Sequence, residues 1–167
     1  MFLTKLMRAG YSVPEVAEGA GIPLPRLNTW LARGLLTLAG DAGRPKWKHR
    51  SGTFDDITAA ALLAAVIDAG GDAMDASECV SVFRGRGAKG WLFVAGQDGE
   101  GRKFRRAVRR EDLARVLAPA AGPGPRAAVV VDVEAVEREV TLRLGSILQN
   151  ESWRRAQALG MLGGGNG

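Results

Sequence analysis

Apolar residues recur at helical spacing in several separate stretches of the chain. Val13, Val16, Ala17 and Ala20 share one face, and Leu27, Trp30 and Leu31 turn a second stripe toward a core. Ile57, Ala60, Ala61, Ala64 and Ile67 form a third stripe that ends at Gly70-Gly71, and Val80 with Phe83 mark a shorter fourth. The spacing predicts helices over 13–20, Pro25 to Arg33, Thr53 to Ala69, and Ala76 to Phe83. The pattern then changes. Trp91 to Ala95 reads as a strand, Asp98 to Gly101 as a turn and Lys103 to Val108 as the returning strand of a hairpin. Arg110 to Leu117 reads as a helix and the β-branched run Ala127 to Val133 as a third strand. Val136, Val140, Leu144 and Ile147 mark a last amphipathic helix over Glu134 to Leu148. No internal repeat is visible.

Local punctuation supports these boundaries. Ser12 and Glu15 have capping-box spacing, and Pro14 falls in the first turn, where a missing N–H costs nothing. Gly21 and Gly34 follow the first two helices, as glycine does where the chain must turn left-handed. Thr53 can cap the third helix, with Asp55 and Asp56 at its positive end. Pro119 to Pro125 is a connector that cannot be regular, and Met1 to Arg8 reads as an extra amphipathic turn or two. The expected fold is mainly α with small β. A winged helix-turn-helix over residues 1–85 precedes a small α+β domain with a short antiparallel sheet over 86–150, and 151–167 form a largely disordered tail.

Between Gly40 and Gly52 the composition turns to Gly, Pro and basic residues. Lys46, Lys48 and Arg50 alternate with Trp47 and His49, so an extended backbone would put the cations on one face and the rings on the other. The expected structure is a wing in which Leu36 to Leu38 pair with Lys46 to Arg50.

From Tyr11 to about Ala69 the chain resembles the MerR-type winged-helix DNA-binding domain. The resemblance rests on Tyr11-Ser12-Val13-Pro14-Glu15-Val16-Ala17, Gly21-Ile22, Leu27, Arg33-Gly34-Leu35-Leu36 and Thr53-Phe54-Asp55-Asp56-Ile57. It implies a second helix that reads the major groove and a wing that holds the backbone. Pro23 stands where members carry a capping serine or threonine. Asn28, Thr29 and Trp30 stand where they carry an arginine followed by aromatic residues, so Arg26 or the wing would have to compensate. The long coiled-coil helix and the sensing cysteines of the family's regulators have no counterpart here.

On this reading Arg26, Asn28 and Thr29 face base edges, since asparagine can pair bidentately with adenine and arginine with guanine. Arg33, Arg44, Lys46, Lys48 and Arg50 hold phosphates, and His49 adds a hydrogen bond in the wing or to phosphate. The net charge of +5 favours a polyanionic partner such as double-stranded DNA. The function expected is sequence-specific regulation of transcription. The alternatives are a phage-type DNA-handling protein, either an excisionase or a small packaging subunit, and a protein-interaction module on the same fold.

Other chemistry is thinly represented. Cys79 is the only cysteine and fits a reducing cytoplasm, where the protein would be nucleoid-associated. No apolar run approaches the ~18–20 residues of a membrane span. Gly85, Gly87 and Gly90 spell G-x-G-x-x-G, but the string follows a helix and precedes a strand, the reverse of a dinucleotide site. No nucleophile or carboxylate stands at a recognisable spacing from His49, so the expectation is a binding protein without cofactor or metal, not an enzyme. Arg102, Lys103, Arg105, Arg106, Arg109 and Arg110 form a second basic cluster. It could be a second DNA surface, a docking site for an acidic protein or a charged sheet edge. The last helix could make a homodimer or cover the sheet.

Overall fold

The computed structural model describes residues 10–41, 51–98, 100–118 and 127–158. The wing residues Arg44, Lys46, Lys48, His49 and Arg50, the segment Met1 to Arg8, the connector Pro119 to Pro125 and the tail from Leu159 lie outside them. Helices predominate: α1 (Val13–Ala20), α2 (Leu24–Ala32), α3 (Phe54–Asp68), α4 (Ala73–Arg86), α5 (Leu113–Leu117) and α6 (Val133–Ala158). Among the described residues two small antiparallel sheets accompany the helices. Strand β1 (Tyr11–Ser12) pairs with β2 (Ser51–Gly52), and β3 (Trp91–Gln97) lies between β4 (Lys103–Arg109) and β5 (Ala127–Asp132). No helix among the described residues is long and apolar enough to cross a membrane.

Short-range hydrogen bonds explain where the first helices begin and end. The Ser12 N–H and hydroxyl both donate to Glu15 Oε2, at 2.7 and 2.8 Å. Gly21 adopts φ +71°, which lets the Ile22 N–H return to the Ala17 carbonyl and close α1. Gly34 repeats the device at φ +69°, with Leu35 N–H on the Trp30 carbonyl. At α4 the Asp72 and Asp75 carboxylates each accept the other residue's backbone N–H. That cap starts the helix at Ala73, three residues before the apolar pattern suggests.

Helix α3 is central. Ile57, Ala59, Ala60, Leu62, Leu63 and Val66 have no exposed surface, so it is buried on nearly every side. Its run of alanines leaves room for α1, α4 and α6 to pack closely around it. Helix α6 crosses α1 at Gly19, where an added Cβ would stand 2.8 Å from Leu144 Cδ2 and 2.9 Å from Ile57 Cγ2. Arg143 Nη1 then donates to the Gly19 carbonyl at 3.1 Å. One apolar cluster therefore runs from Tyr11, Leu27 and Trp30 through α3 to Phe93, Val131 and Leu144, continuous across residue 85.

Three expectations are corrected. Leu36 to Leu38 form no strand: both leucines are buried, and the chain passes into a 3-10 turn at Ala39–Asp41. The reason is that side chains satisfy its backbone, Arg84 Nη2 donating to the Thr37 carbonyl and Asp56 Oδ2 accepting from the Ala39 N–H, both at 2.9 Å. The helix expected over 110–117 is a 3-10 turn, Arg110–Asp112, leading into the short α5. The last helix continues to Ala158, so 151–158 are helical and not tail; no proline or glycine interrupts the chain between Gly145 and Ala158.

Candidate nucleic-acid interface

Helix α2 divides cleanly into two faces. Leu27, Trp30 and Leu31 are buried in the core, while Pro25, Asn28, Thr29, Ala32 and Arg33 are exposed and occupy the opposite arc of the helix. Among the described residues Asn28 and Arg33 make no side-chain hydrogen bond or ion pair. The Thr29 hydroxyl donates to the Pro25 carbonyl one turn back, at 2.9 Å, leaving its oxygen free to accept.

Arg26 is placed differently. It grips Asp68, at the end of α3, through Nη2–Oδ1 at 2.6 Å and Nη1–Oδ2 at 3.2 Å, and its guanidinium lies 4.8 Å from the centroid of Trp30. This residue anchors α2 to α3, and 30% of its side chain remains exposed. The expected trio of base-facing residues is therefore split: Asn28 has no side-chain partner among the described residues, Thr29 keeps only its acceptor oxygen open, and Arg26 is occupied.

The wing cations lie outside the described residues, but both feet of the segment that carries them are defined. Gly40 and Ser51 touch: a Cβ on Gly40 would overlap the Ser51 carbonyl. Beneath them sits Asp56, 2% exposed. Its Oδ2 accepts from the Ala39 N–H at 2.9 Å on one foot, and from the Thr53 N–H at 2.8 Å and hydroxyl at 3.1 Å on the other. Its Oδ1 accepts from Arg84 Nη2 at 3.0 Å, and the same nitrogen holds the Thr37 carbonyl. One buried carboxylate thus fastens both ends of the basic loop to α3 and α4. The spacing of Thr53 and Asp56 announces a helix cap; nothing in the sequence announces that the same oxygen also binds residue 39.

The second basic cluster is largely neutralised. Arg102 pairs with Asp98 and Glu100, Lys103 with Asp72, Arg105 with Asp75, and Arg110 with Asp132. The hydrogen bond from Lys103, joined by the Asp75 N–H, holds the Asp72 carboxyl well below the usual carboxylate range. Arg106 and Arg109 have no carboxylate partner among the described residues. Cys79 is buried beside Val80 and Phe83, and burial pushes its thiol up to about 12. No protein-family model matches this chain, and no curated protein does.

Proposed function

We propose that the protein is a sequence-specific DNA-binding regulator of transcription built on a winged helix-turn-helix of MerR type. Helix α2 enters the major groove, α1 crosses the backbone beside it, and the basic loop between Asp41 and Ser51 grips the flanking phosphates. The observation that carries this reading is the outward face of α2: exposed, polar at Asn28 and Thr29, cationic at Arg33, and small at Ala32. Its opposite face is locked into the core, so the helix presents that surface as a rigid rod.

Short side chains at the centre of the face allow close approach to the groove floor. Asn28 reads adenine by two hydrogen bonds, which are worth about 1–3 kcal/mol of discrimination. Thr29 adds a hydroxyl or methyl contact. Arg33 and the loop cations hold phosphates without reading sequence. Arg26 reaches a base only by leaving Asp68; in its present position it sets the angle of α2. The Asp56 clamp supports the same reading, because a phosphate-gripping loop needs fixed feet. Should two copies act together, their half-sites are spaced by whole helical turns.

The test is capture of genomic fragments by the full chain, followed by affinity measurements across salt. A regulator recovers discrete sites near promoters, with affinity falling steeply between about 50 and 200 mM salt. Several phased sites, or assembly into a ring on DNA, would replace this reading with a phage-type DNA-handling role. Absence of any DNA retardation at low salt would leave a protein-interaction module.

A further inference from the structure

Trp91, the first residue of β3, is overlaid by two guanidinium groups. Arg109, its antiparallel partner in β4, lies 4.1 Å from the ring centroid, and Arg86, from the last turn of α4, lies 4.8 Å from it. Arg109 Nη1 also donates to the Lys89 carbonyl at 3.1 Å, which brings the exposed Lys89 to the same corner. Among the described residues none of these three cations has a carboxylate partner. Glu134, a carboxylate at this corner, accepts from the Gly90 N–H at 3.1 Å and lies 3.5 Å from Arg110.

Local sequence builds the corner. Gly87 and Gly90 take φ +74° and +72° to turn the chain from α4 into β3. A Cβ on Gly90 would stand 3.3 Å from Arg109 Nη1, so glycine there leaves the guanidinium its place. The contrast with the neighbouring cations is informative. Arg102, Lys103, Arg105 and Arg110 are each matched to an acid, while Arg86 and Arg109 share the Trp91 ring beside Lys89 and none of the three has a carboxylate partner among the described residues.

A guanidinium stacked on an aromatic face keeps its in-plane N–H groups available: Arg109 gives one Nη1 hydrogen to the Lys89 carbonyl and retains the others. It is also already oriented, so little is lost when those groups meet two phosphate oxygens. Along α4 the corner is two residues from Arg84, which bonds the Thr37 carbonyl near the foot of the basic loop. We propose that Arg86, Lys89 and Arg109 form a second phosphate-backbone contact on the duplex engaged by α2. This contact lengthens the footprint and carries no base preference. The proposal rests on the DNA-binding reading above.

The experiment uses the full chain, a labelled duplex carrying the selected site and a labelled random-sequence duplex, with affinity followed against salt. In Arg86→Gln/Arg109→Gln, two lost phosphate contacts make the log–log salt slope shallower by about 1.8, and affinity at about 0.15 M salt falls roughly 30-fold on both duplexes alike. The control is Arg102→Gln/Arg115→Gln, which removes the same formal charge from arginines already paired with Asp98, Glu100 and Asp112. It is expected to leave the slope unchanged. Lys89→Gln touches no stacking or hydrogen bond of its side chain and carries the test alone if the double variant fails to fold; its slope changes by about 0.9. If wild type binds DNA but the patch variants match the control, the patch proposal is overturned and the α2 reading stands. If wild type binds neither duplex, both fall.

Discussion

Replacing Asp56 with alanine removes a carboxylate that four donors share: the Ala39 N–H, the Thr53 N–H, the Thr53 hydroxyl and Arg84 Nη2. Loss of the helix-capping arrangement at Thr53 costs about 1 kcal/mol. The Ala39 N–H loses a charge-assisted bond worth about 1.5–3 kcal/mol, less whatever water recovers. Arg84 is 40% exposed and rehydrates readily, so its coupling to Asp56 adds at most about 1 kcal/mol. The sum is a destabilisation of about 3 kcal/mol, a large part of the ~5–15 kcal/mol that holds a typical domain folded. Asp56→Asn keeps the shape and an acceptor oxygen but loses the charge, and should cost about half as much. Urea unfolding reads this as a lower midpoint with an unchanged m-value. Hydrogen exchange should show the Ala39 and Thr53 amides released locally, while those of β3 lose no more protection than the global loss of about 3 kcal/mol accounts for. The DNA motif should survive in Asp56→Asn with affinity reduced evenly across sequences, since only the loop's footing is loosened. A stability loss under about 0.5 kcal/mol, within the range of ordinary surface substitutions, would refute the clamp.

Three further outcomes are expected. Gly19→Ala gains about 1 kcal/mol of helix propensity but forces a methyl against Leu144 and Ile57, and overpacking costs about 1–3 kcal/mol. The melting temperature should therefore drop and recover when Leu144 is shortened to valine; an unchanged melt would show that α6 does not sit tightly on α1. The Cys79 thiol, held protonated by burial, should resist disulfide reagents at neutral pH until the protein unfolds, and rapid labelling of the native state would contradict its placement. The Asp72 carboxyl is depressed when folded, so its stabilisation is complete above the unfolded value of about 3.9 and is lost as the pH falls from there through the folded value. Asp72→Asn should flatten the acid limb of a stability–pH series, and an identical limb would remove Asp72 from the account.

Features set by neighbours in sequence were the legible ones. Ser12 with Glu15, Thr53 with Asp56, Gly21 and Gly34 each act within one helical turn, and their bonds form where the spacing indicates. The hairpin of β3 and β4 was equally plain, because alternation and a glycine turn lie side by side in the chain. What failed depended on distant partners. Leu-Thr-Leu at 36–38 has the alternation of a strand, but distant side chains hold this stretch, Arg84 on the Thr37 carbonyl and Asp56 on the following Ala39 N–H. Two residues at Tyr11–Ser12 carry no strand signal of their own; they pair because Ser51–Gly52 returns beside them. Charge misled in the same way. Arg26 looks free in sequence and is paired to Asp68, forty-two residues away. The run from Arg102 to Arg110 looks uniformly basic, yet acids at positions 72, 75, 98 and 132 take most of it. Only the fold separates Arg109 from its paired neighbours.

The claim on which the functional account stands is that the outward face of α2 reads bases. It is met most directly by selecting bound duplexes from a random pool with wild type and with Asn28→Ala, a substitution of an exposed side chain that should leave folding untouched. The account expects wild type to yield a defined motif and the variant to lose information at one adenine-containing step, with about 1–3 kcal/mol less discrimination there and the rest of the motif intact. Identical motifs from the two proteins, at equal affinity, would contradict it.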